Sequence, residues 1–69
     1  MSTRVTFLDQ NNFVVSQDTE IDSLSDCPIA GDIIIISLYE DPTEFGRFKV
    51  IERILDGKNN RIILTVKSY

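Results

Sequence analysis

The last third of the chain decides the fold. Residues 47–55 read RFKVIERIL, residues 61–69 read RIILTVKSY, and DGKNN joins them at 56–60. Apolar and polar residues alternate along both arms, and a period of two is what a strand imposes on its two faces. The link contains Asp-Gly and Asn-Asn, which are typical of turns. The sequence therefore predicts a β-hairpin with one apolar face. The residues of that face are Phe48, Val50, Ile54, Ile62, Leu64 and Val66.

The opposite face of this predicted hairpin combines positive charge with apolar side chains. The alternation places on it Arg47, Lys49, Ile51, Arg53, Arg61, Ile63, Lys67 and Tyr69. Since the first face would form the core, this one would be exposed to solvent. An apolar centre with a charged rim is how many protein-binding patches are built. We therefore predict that these residues form the binding site of the protein.

A second strand is predicted upstream, where residues 33–39 read IIIISLY. The density of β-branched residues favours a strand over a helix, and Pro28 and Gly31 mark its beginning. Both faces of this strand are apolar and need cover, which a barrel, a strand shared between two sheets, or a subunit interface would supply. Ile33 and Ile35 lie on one face and would extend the binding site if this strand lies beside the hairpin.

The N-terminal part predicts another hairpin. Residues 4–8 and 13–15 are rich in β-branched and aromatic side chains, and the turn-forming DQNN lies between them. Residues 16–28 then change to Ser, Asp, Thr and Glu. We interpret them as an irregular acidic connection that Ile21 and Leu24, three residues apart, anchor to the core through a single helical turn.

These strands add up to a single all-β domain over residues 1–69. A chain this short buries a core only if its sheet bends strongly on itself. We predict a small five-stranded SH3-like barrel or a strongly bent antiparallel meander, with an OB-like barrel as a further alternative. Gly31-Asp32 ahead of a β-branched strand, with a basic hairpin after it, resembles the way strands begin in many SH3-like barrels.

Charge is divided unevenly along the chain. The net charge is −4, yet residues 47–69 contain six basic residues and only two acidic ones. The overall negative charge argues against indiscriminate nucleic-acid binding, and the asymmetry lets the two halves neutralise each other. No apolar run approaches the roughly 20 residues of a membrane span. One cysteine without an export signal indicates a reducing, cytoplasmic location.

The sequence offers little for catalysis. It contains no histidine, which excludes Ser-His and Cys-His nucleophile pairs. Cys27 follows Asp26, whose carboxylate disfavours the thiolate, so we interpret this cysteine as a small core residue. Asp56, Lys58 and Asn60 alternate faintly like a calcium loop, but the central lysine and the missing acids indicate a simple turn. We therefore expect no enzymatic activity, no metal and no cofactor.

Three hypotheses for function follow from the basic and apolar face. The first is a non-catalytic protein-binding module, for example a small inhibitor or regulator of the kind that phages encode. The second is structural: the face is covered by the acidic N-terminal half of the chain or by a second copy of it. In such a homo-oligomer, arginines would hold an anionic small molecule or nucleotide between subunits. The third is a weak binder of single-stranded nucleic acid, which the scarcity of stacking aromatics on that face argues against.

Overall fold

The computed structural model describes residues 2–69, so Met1 of the predicted 1–69 domain lies outside the described residues. Five strands follow one another along the chain, with one short 3₁₀ turn (Leu24–Asp26) after the second. The strands are β1 (Thr3–Leu8), β2 (Val14–Ile21), β3 (Ile33–Ser37), β4 (Phe45–Asp56) and β5 (Arg61–Ser68). The predicted all-β fold is confirmed. Within residues 2–69, no helix is long and apolar enough to cross a membrane.

The strands form one sheet in the order β2-β1-β5-β4-β3, curled into a half-barrel. Neighbours are antiparallel except for β1 and β5, which pair in parallel. Consecutive strands alternate in direction along the chain, so the first and the fifth strand point the same way. The curl of the sheet brings β1 and β5 side by side, and they therefore pair in parallel. The edges β2 and β3 face each other across the opening, and the Tyr39 N–H donates to the Val15 carbonyl at 3.0 Å at one end of it. This architecture is consistent with the predicted SH3-like barrel or bent meander.

The core lies inside the curl, and β1, β4 and β5 supply most of it. Its buried apolar residues are Val5, Phe7, Cys27, Val50, Ile62, Leu64 and Val66. Phe48 packs on the margin of this cluster, as the alternation predicted. Ile54, which the same alternation assigned to the core, is 43% exposed. Burial of this set is the main contribution to stability in so small a domain, because the chain has no disulfide.

Residues 16–21 form most of β2, so the predicted irregular acidic connection is wrong for this segment. Only Ser16 of β2 is buried and the four residues after it are exposed, because β2 lies at the edge of the sheet. The hydrophobic alternation that reveals a strand is therefore missing. Ile21 packs against the core as expected. Leu24 begins the 3₁₀ turn but is 50% exposed, so Cys27 is the second anchor of this segment.

β3 and β4 differ from their predicted bounds. β3 ends at Ser37, and β4 begins at Phe45. Gly46 therefore lies inside a strand. A Cβ atom on Gly46 would lie 2.7 Å from Cε2 of Phe48 and 2.9 Å from Cδ2 of Leu38. The glycine permits these two side chains to close over the backbone of β4 at the margin of the core.

A bulged turn leads into β3. The Asp32 N–H donates to the Ile29 carbonyl at 3.0 Å, and the Asp32 carboxylate accepts the Ile29 N–H at 3.0 Å. Gly31 has a φ of +100°, in the region that side chains disfavour. Its N–H donates to the Val50 carbonyl, and the Val50 N–H donates to the Asp32 carbonyl, both at 2.8 Å. Gly31 and Asp32 thus lie opposite the single residue Val50, and this arrangement is a β-bulge with glycine in its first position.

Candidate binding face

The outer face of the sheet is the side turned away from the core. Residues paired directly across neighbouring strands share a face, so the register shows which side chains stand together there. Two rows of outward-facing residues cross β3, β4 and the end of β5. They are Ile35-Arg47-Tyr69 and Ile33-Lys49-Lys67, and we call these six residues the β3–β5 patch.

Apolar and aromatic surface is exposed in the β3–β5 patch. Ile35 is 68% exposed and Tyr69 is 61% exposed. The guanidinium carbon of Arg47 lies 5.3 Å from the centre of the Tyr69 ring, and Lys49 Nζ lies 6.0 Å from it. Cation–π contacts of this kind contribute about 0.5–1 kcal/mol at exposed sites. They hold the ring and the two cations together as one surface.

The cations of the β3–β5 patch are not neutralised by acids of the chain. The ion pairs within residues 2–69 are Arg4–Asp18 at 3.8 Å and Arg61–Asp56 at 3.5 Å. Neither involves Arg47, Lys49 or Lys67. The alternative that the basic hairpin is covered by the acidic N-terminal segment therefore fails for this part of the face.

Arg61 lies on the outer face but apart from the patch. It pairs with Asp56 across the hairpin and with Arg4 across the parallel ladder, at the opposite end of β5. Hydrogen bonds from Asn59, together with the charge of Arg61, lower the pKa of the Asp56 carboxyl. The charge of Arg61 is thus compensated locally, and the structure does not bring it together with Arg47.

Arg53 was predicted on the same face as Arg47 and Lys49, and this placement is wrong. The register passes from Val50 opposite Val66 to Glu52 opposite Thr65, which leaves Ile51 without a partner as a bulge. After the bulge, Arg53 stands opposite the fully buried Leu64 and so points to the core side.

The bulge also has a physical reason. An unbroken strand would place Glu52 beside the core, whereas the bulge turns it outward and puts Arg53 on the inner side instead. A long aliphatic stem tolerates that position because its charged end can reach the surface. The doublets Val50-Ile51 and Ile54-Leu55 were the sequence signal for this break in the alternation.

A second apolar group on the outer face lies beyond the patch. Ile54 stands opposite Ile63 there, and the bulged Ile51 is 38% exposed. The row Glu52–Thr65 separates the Ile54–Ile63 pair from the basic residues, whereas Ile51 lies on the patch side of that row. Ile51 and Ile63 were predicted site residues, whereas Ile54 was missed because the alternation assigned it to the core. Phe45, which is 65% exposed at the start of β4, was missed as well.

Cys27 lies on the inner side of the sheet, in the core. Burial raises the pKa of its thiol, and the nearby Arg53 guanidinium only partly opposes that effect. The sequence attributed its low reactivity to Asp26, but burial is the first cause. In the part of the chain that the structure describes, no group of three or more potential metal ligands is found.

No protein-family model matches the chain, and no curated protein or solved structure matches it. The β3–β5 patch is therefore interpreted from its own geometry and charge.

Proposed function

We propose that the protein is a non-catalytic binding module that docks another protein on the β3–β5 patch. The observation that carries this proposal is the pairing of exposed Ile35 and Tyr69 with Arg47, Lys49 and Lys67, none of which has an ion-pair partner within residues 2–69. Arginine and tyrosine are favoured anchors of protein interfaces. Uncompensated positive charge beside exposed apolar surface suits a partner with complementary acidic groups.

The same arrangement argues for a protein over a nucleic acid. The patch holds one aromatic ring, Tyr69, with exposed Phe45 beside it on β4, whereas successive bases need a series of stacking platforms. A nucleic-acid backbone brings one negative charge per nucleotide, which the net charge of −4 opposes more strongly than the few carboxylates of a short acidic protein segment. An anionic small molecule held by several arginines has less support, because Arg47, Arg53 and Arg61 lie in three separate places on the sheet.

A second copy of the chain is the other candidate partner, since Ile33 and Ile35 together expose apolar surface at the sheet edge. It would place like charges from Arg47 and Lys49 of both copies on one interface, which is unfavourable. A hetero-partner avoids this repulsion. A cytoplasmic inhibitor or regulator that covers one surface of a larger protein would use the patch in this way.

A pair of charge reversals tests the proposal. Lys67→Glu changes the patch, while Lys58→Glu makes the same change in the exposed β4–β5 turn. Affinity capture with each purified variant, followed by mass spectrometry, should recover a partner with wild type and with Lys58→Glu, and lose it with Lys67→Glu. Recovery of the same proteins by all three would overturn the proposal.

Light scattering coupled to size exclusion, at low and high protein concentration, distinguishes a hetero-partner from self-association of the chain. A monomer at both concentrations agrees with a hetero-partner. A dimer that dissociates on dilution, and that Lys67→Glu alters but Lys58→Glu does not, would assign the patch to self-association.

A further inference from the structure

β3 is an edge strand whose free side carries unbonded backbone groups. Just before β3, the Asp32 carbonyl accepts the Val50 N–H at 2.8 Å, and just after it, the Leu38 N–H donates to the carbonyl of Glu44, the residue before β4, at 2.9 Å. Since bonding in an antiparallel ladder alternates residue by residue, the even-numbered residues of this segment face β4. The N–H and C=O groups of Ile33, Ile35 and Ser37 therefore point away from the sheet, and within residues 2–69 they have no backbone partner.

Between the bulge at Gly31-Asp32 and the Tyr39–Val15 bond, this edge carries none of the features that discourage another strand from pairing with it. Residues 33–37 read IIIIS, without the charges, prolines or bulges by which natural edge strands resist pairing. Ile33 and Ile35 are 43% and 68% exposed. The opposite edge of the sheet, β2, carries Gln, Asp, Thr and Glu at 17–20. One edge is thus protected by polar and charged residues, and the other is open.

Charge indicates what kind of strand fits the open edge. Arg47 and Lys49 stand on β4 opposite Ile35 and Ile33, on the outer face. A strand added to β3 would lie about 5 Å from it and about 10 Å from β4. In the free protein both cations lie over the Tyr69 ring, on the β5 side of β4. On binding they leave the ring and extend over Ile35 and Ile33, since Arg and Lys side chains are long enough to meet a carboxylate across that distance and form charge-assisted hydrogen bonds. A second β3 would bring no carboxylates to this place, whereas an acidic segment would.

We propose that β3 is extended by a strand from an acidic, extended segment of a partner protein. This inference deepens the proposed function and rests on it. The N–H and C=O groups of Ile33 and Ile35 bond to the added strand, and its outward carboxylates meet Arg47 and Lys49. Addition of a strand to an open sheet edge is a general mode of peptide recognition, in which alternate side chains give specificity.

Space for the inward side chains of the added strand lies beside β3. The opening between β2 and β3 holds a groove of about 310 Å³, whose lining includes Phe7, Ser16 and Ile36. Asp18 also borders this groove, and Arg4 pairs with it at 3.8 Å. Phe7 and Ile36 give the groove an apolar floor and its other lining residues are polar, so it accepts small side chains at every second position of the guest.

Synthetic peptides test the inference without the natural partner. The probe is a short blocked peptide of alternating glutamate and valine, and its control alternates lysine and valine. Fluorescence anisotropy should show the glutamate peptide binding at least about tenfold more tightly than the lysine peptide, as expected for two or three charge pairs. Added salt should reduce this preference. Amide exchange at Ile33 and Ile35 should slow only with the glutamate peptide. Equal binding of both peptides, or unchanged exchange at these amides, would overturn the inference.

A matched pair of variants tests the backbone contact. Ile35→Pro removes an N–H that does not bond to β4, so the ladder survives while the edge is blocked. Ile35→Thr keeps the N–H. The glutamate peptide should bind about tenfold more weakly to Ile35→Pro, because one hydrogen bond is lost and the ring obstructs the edge. It should bind to Ile35→Thr more tightly than to Ile35→Pro, because both variants lose the same isoleucine surface and only the threonine keeps the edge N–H. Equal affinity for both variants would count against strand addition.

Two further arrangements keep the test decisive. Should Ile35→Pro not fold, a glutamate peptide methylated at alternate backbone nitrogens blocks the same bonds from the guest side, and must lose binding. A partner that depends on Lys67, together with peptides that do not bind, would leave the proposed function intact and refute strand addition. Peptide binding without any Lys67-dependent partner would refute the proposed function alone.

Discussion

Replacement of Gly31 and Gly57 by alanine should change stability in opposite directions. Both positions are exposed, and a Cβ atom at either would have no neighbour within 4 Å. They differ in the backbone, since Gly31 has a φ of +100° and Gly57 is not in the positive-φ region. The pair therefore isolates the conformational requirement of the bulge from any effect of side-chain contact.

The magnitudes follow from two opposing effects. An alanine forced into a left-handed conformation costs about 1–2 kcal/mol. Any Gly→Ala change also restricts the unfolded chain, which stabilises the fold by about 0.4–1 kcal/mol. Gly31→Ala should thus lose about 1 kcal/mol of unfolding free energy, and Gly57→Ala should gain about 0.5 kcal/mol. In a domain of this size, 1 kcal/mol corresponds to about 4–8 °C in Tm.

Urea unfolding followed by circular dichroism measures this difference. The two variants should lie on opposite sides of wild type, with unchanged dependence on denaturant concentration. If both alanines shift the midpoint in the same direction by the same amount, the positive φ of Gly31 is not what the bulge requires. The role assigned to Gly31 in beginning β3 would then be wrong.

Three further predictions concern the core and two titrating groups. Leu64→Ala, at a fully buried residue, should cost about 2–5 kcal/mol in urea unfolding, whereas Leu55→Ala, at a side chain that is 56% exposed, should cost far less; similar losses would contradict the described core. The lowered pKa of Asp56 stabilises the fold above the ordinary aspartate pKa, and this contribution disappears as pH falls through the folded pKa. The difference in unfolding free energy between wild type and Asp56→Asn should therefore shrink from pH 6 towards about pH 2, and a constant difference would refute the assignment. The raised pKa of Cys27 works in the opposite sense, since the unfolded thiol ionises first as pH rises above about 8.5. Wild type should therefore lose stability relative to Cys27→Ala between about pH 8 and pH 10, and parallel pH profiles would show that the thiol is not buried.

Local alternation was sufficient to predict the C-terminal hairpin. In β5, Ile62, Leu64 and Val66 are buried in the core and alternate with less buried residues. A strand with one buried face shows this period of two directly in its sequence, so the hairpin could be recognised. β2 could not be recognised in the same way. Its residues 17–20 are exposed on both faces at the sheet edge, and their polar character is indistinguishable from that of a loop.

The candidate site was predicted in part for a related reason. The structure brings together four of the predicted residues. Arg47 and Lys49 lie before the β4 bulge, Lys67 lies on the regular strand β5, and Tyr69 directly follows it. Arg53 lies after the bulge, where the sense of the alternation is reversed. The bulge keeps β4 paired with β5 while it turns the Glu52 carboxylate away from the core. Its position depends on the pairing with β5 as much as on the sequence of β4 itself.

The central position of β5 has a consequence for the order of folding. While a ribosome has made only the first four strands, the chain holds two separate hairpins, β1–β2 and β3–β4, which do not pair with each other in the finished sheet. Isolated two-stranded hairpins are marginally stable in water. β5 joins them by pairing with β1 on one side and β4 on the other. The domain should therefore acquire its structure only after synthesis has passed β5, in one cooperative step. Until then, the edges of β1 and β4 that β5 covers in the finished sheet are open to other strands as well, in addition to the edge of β3.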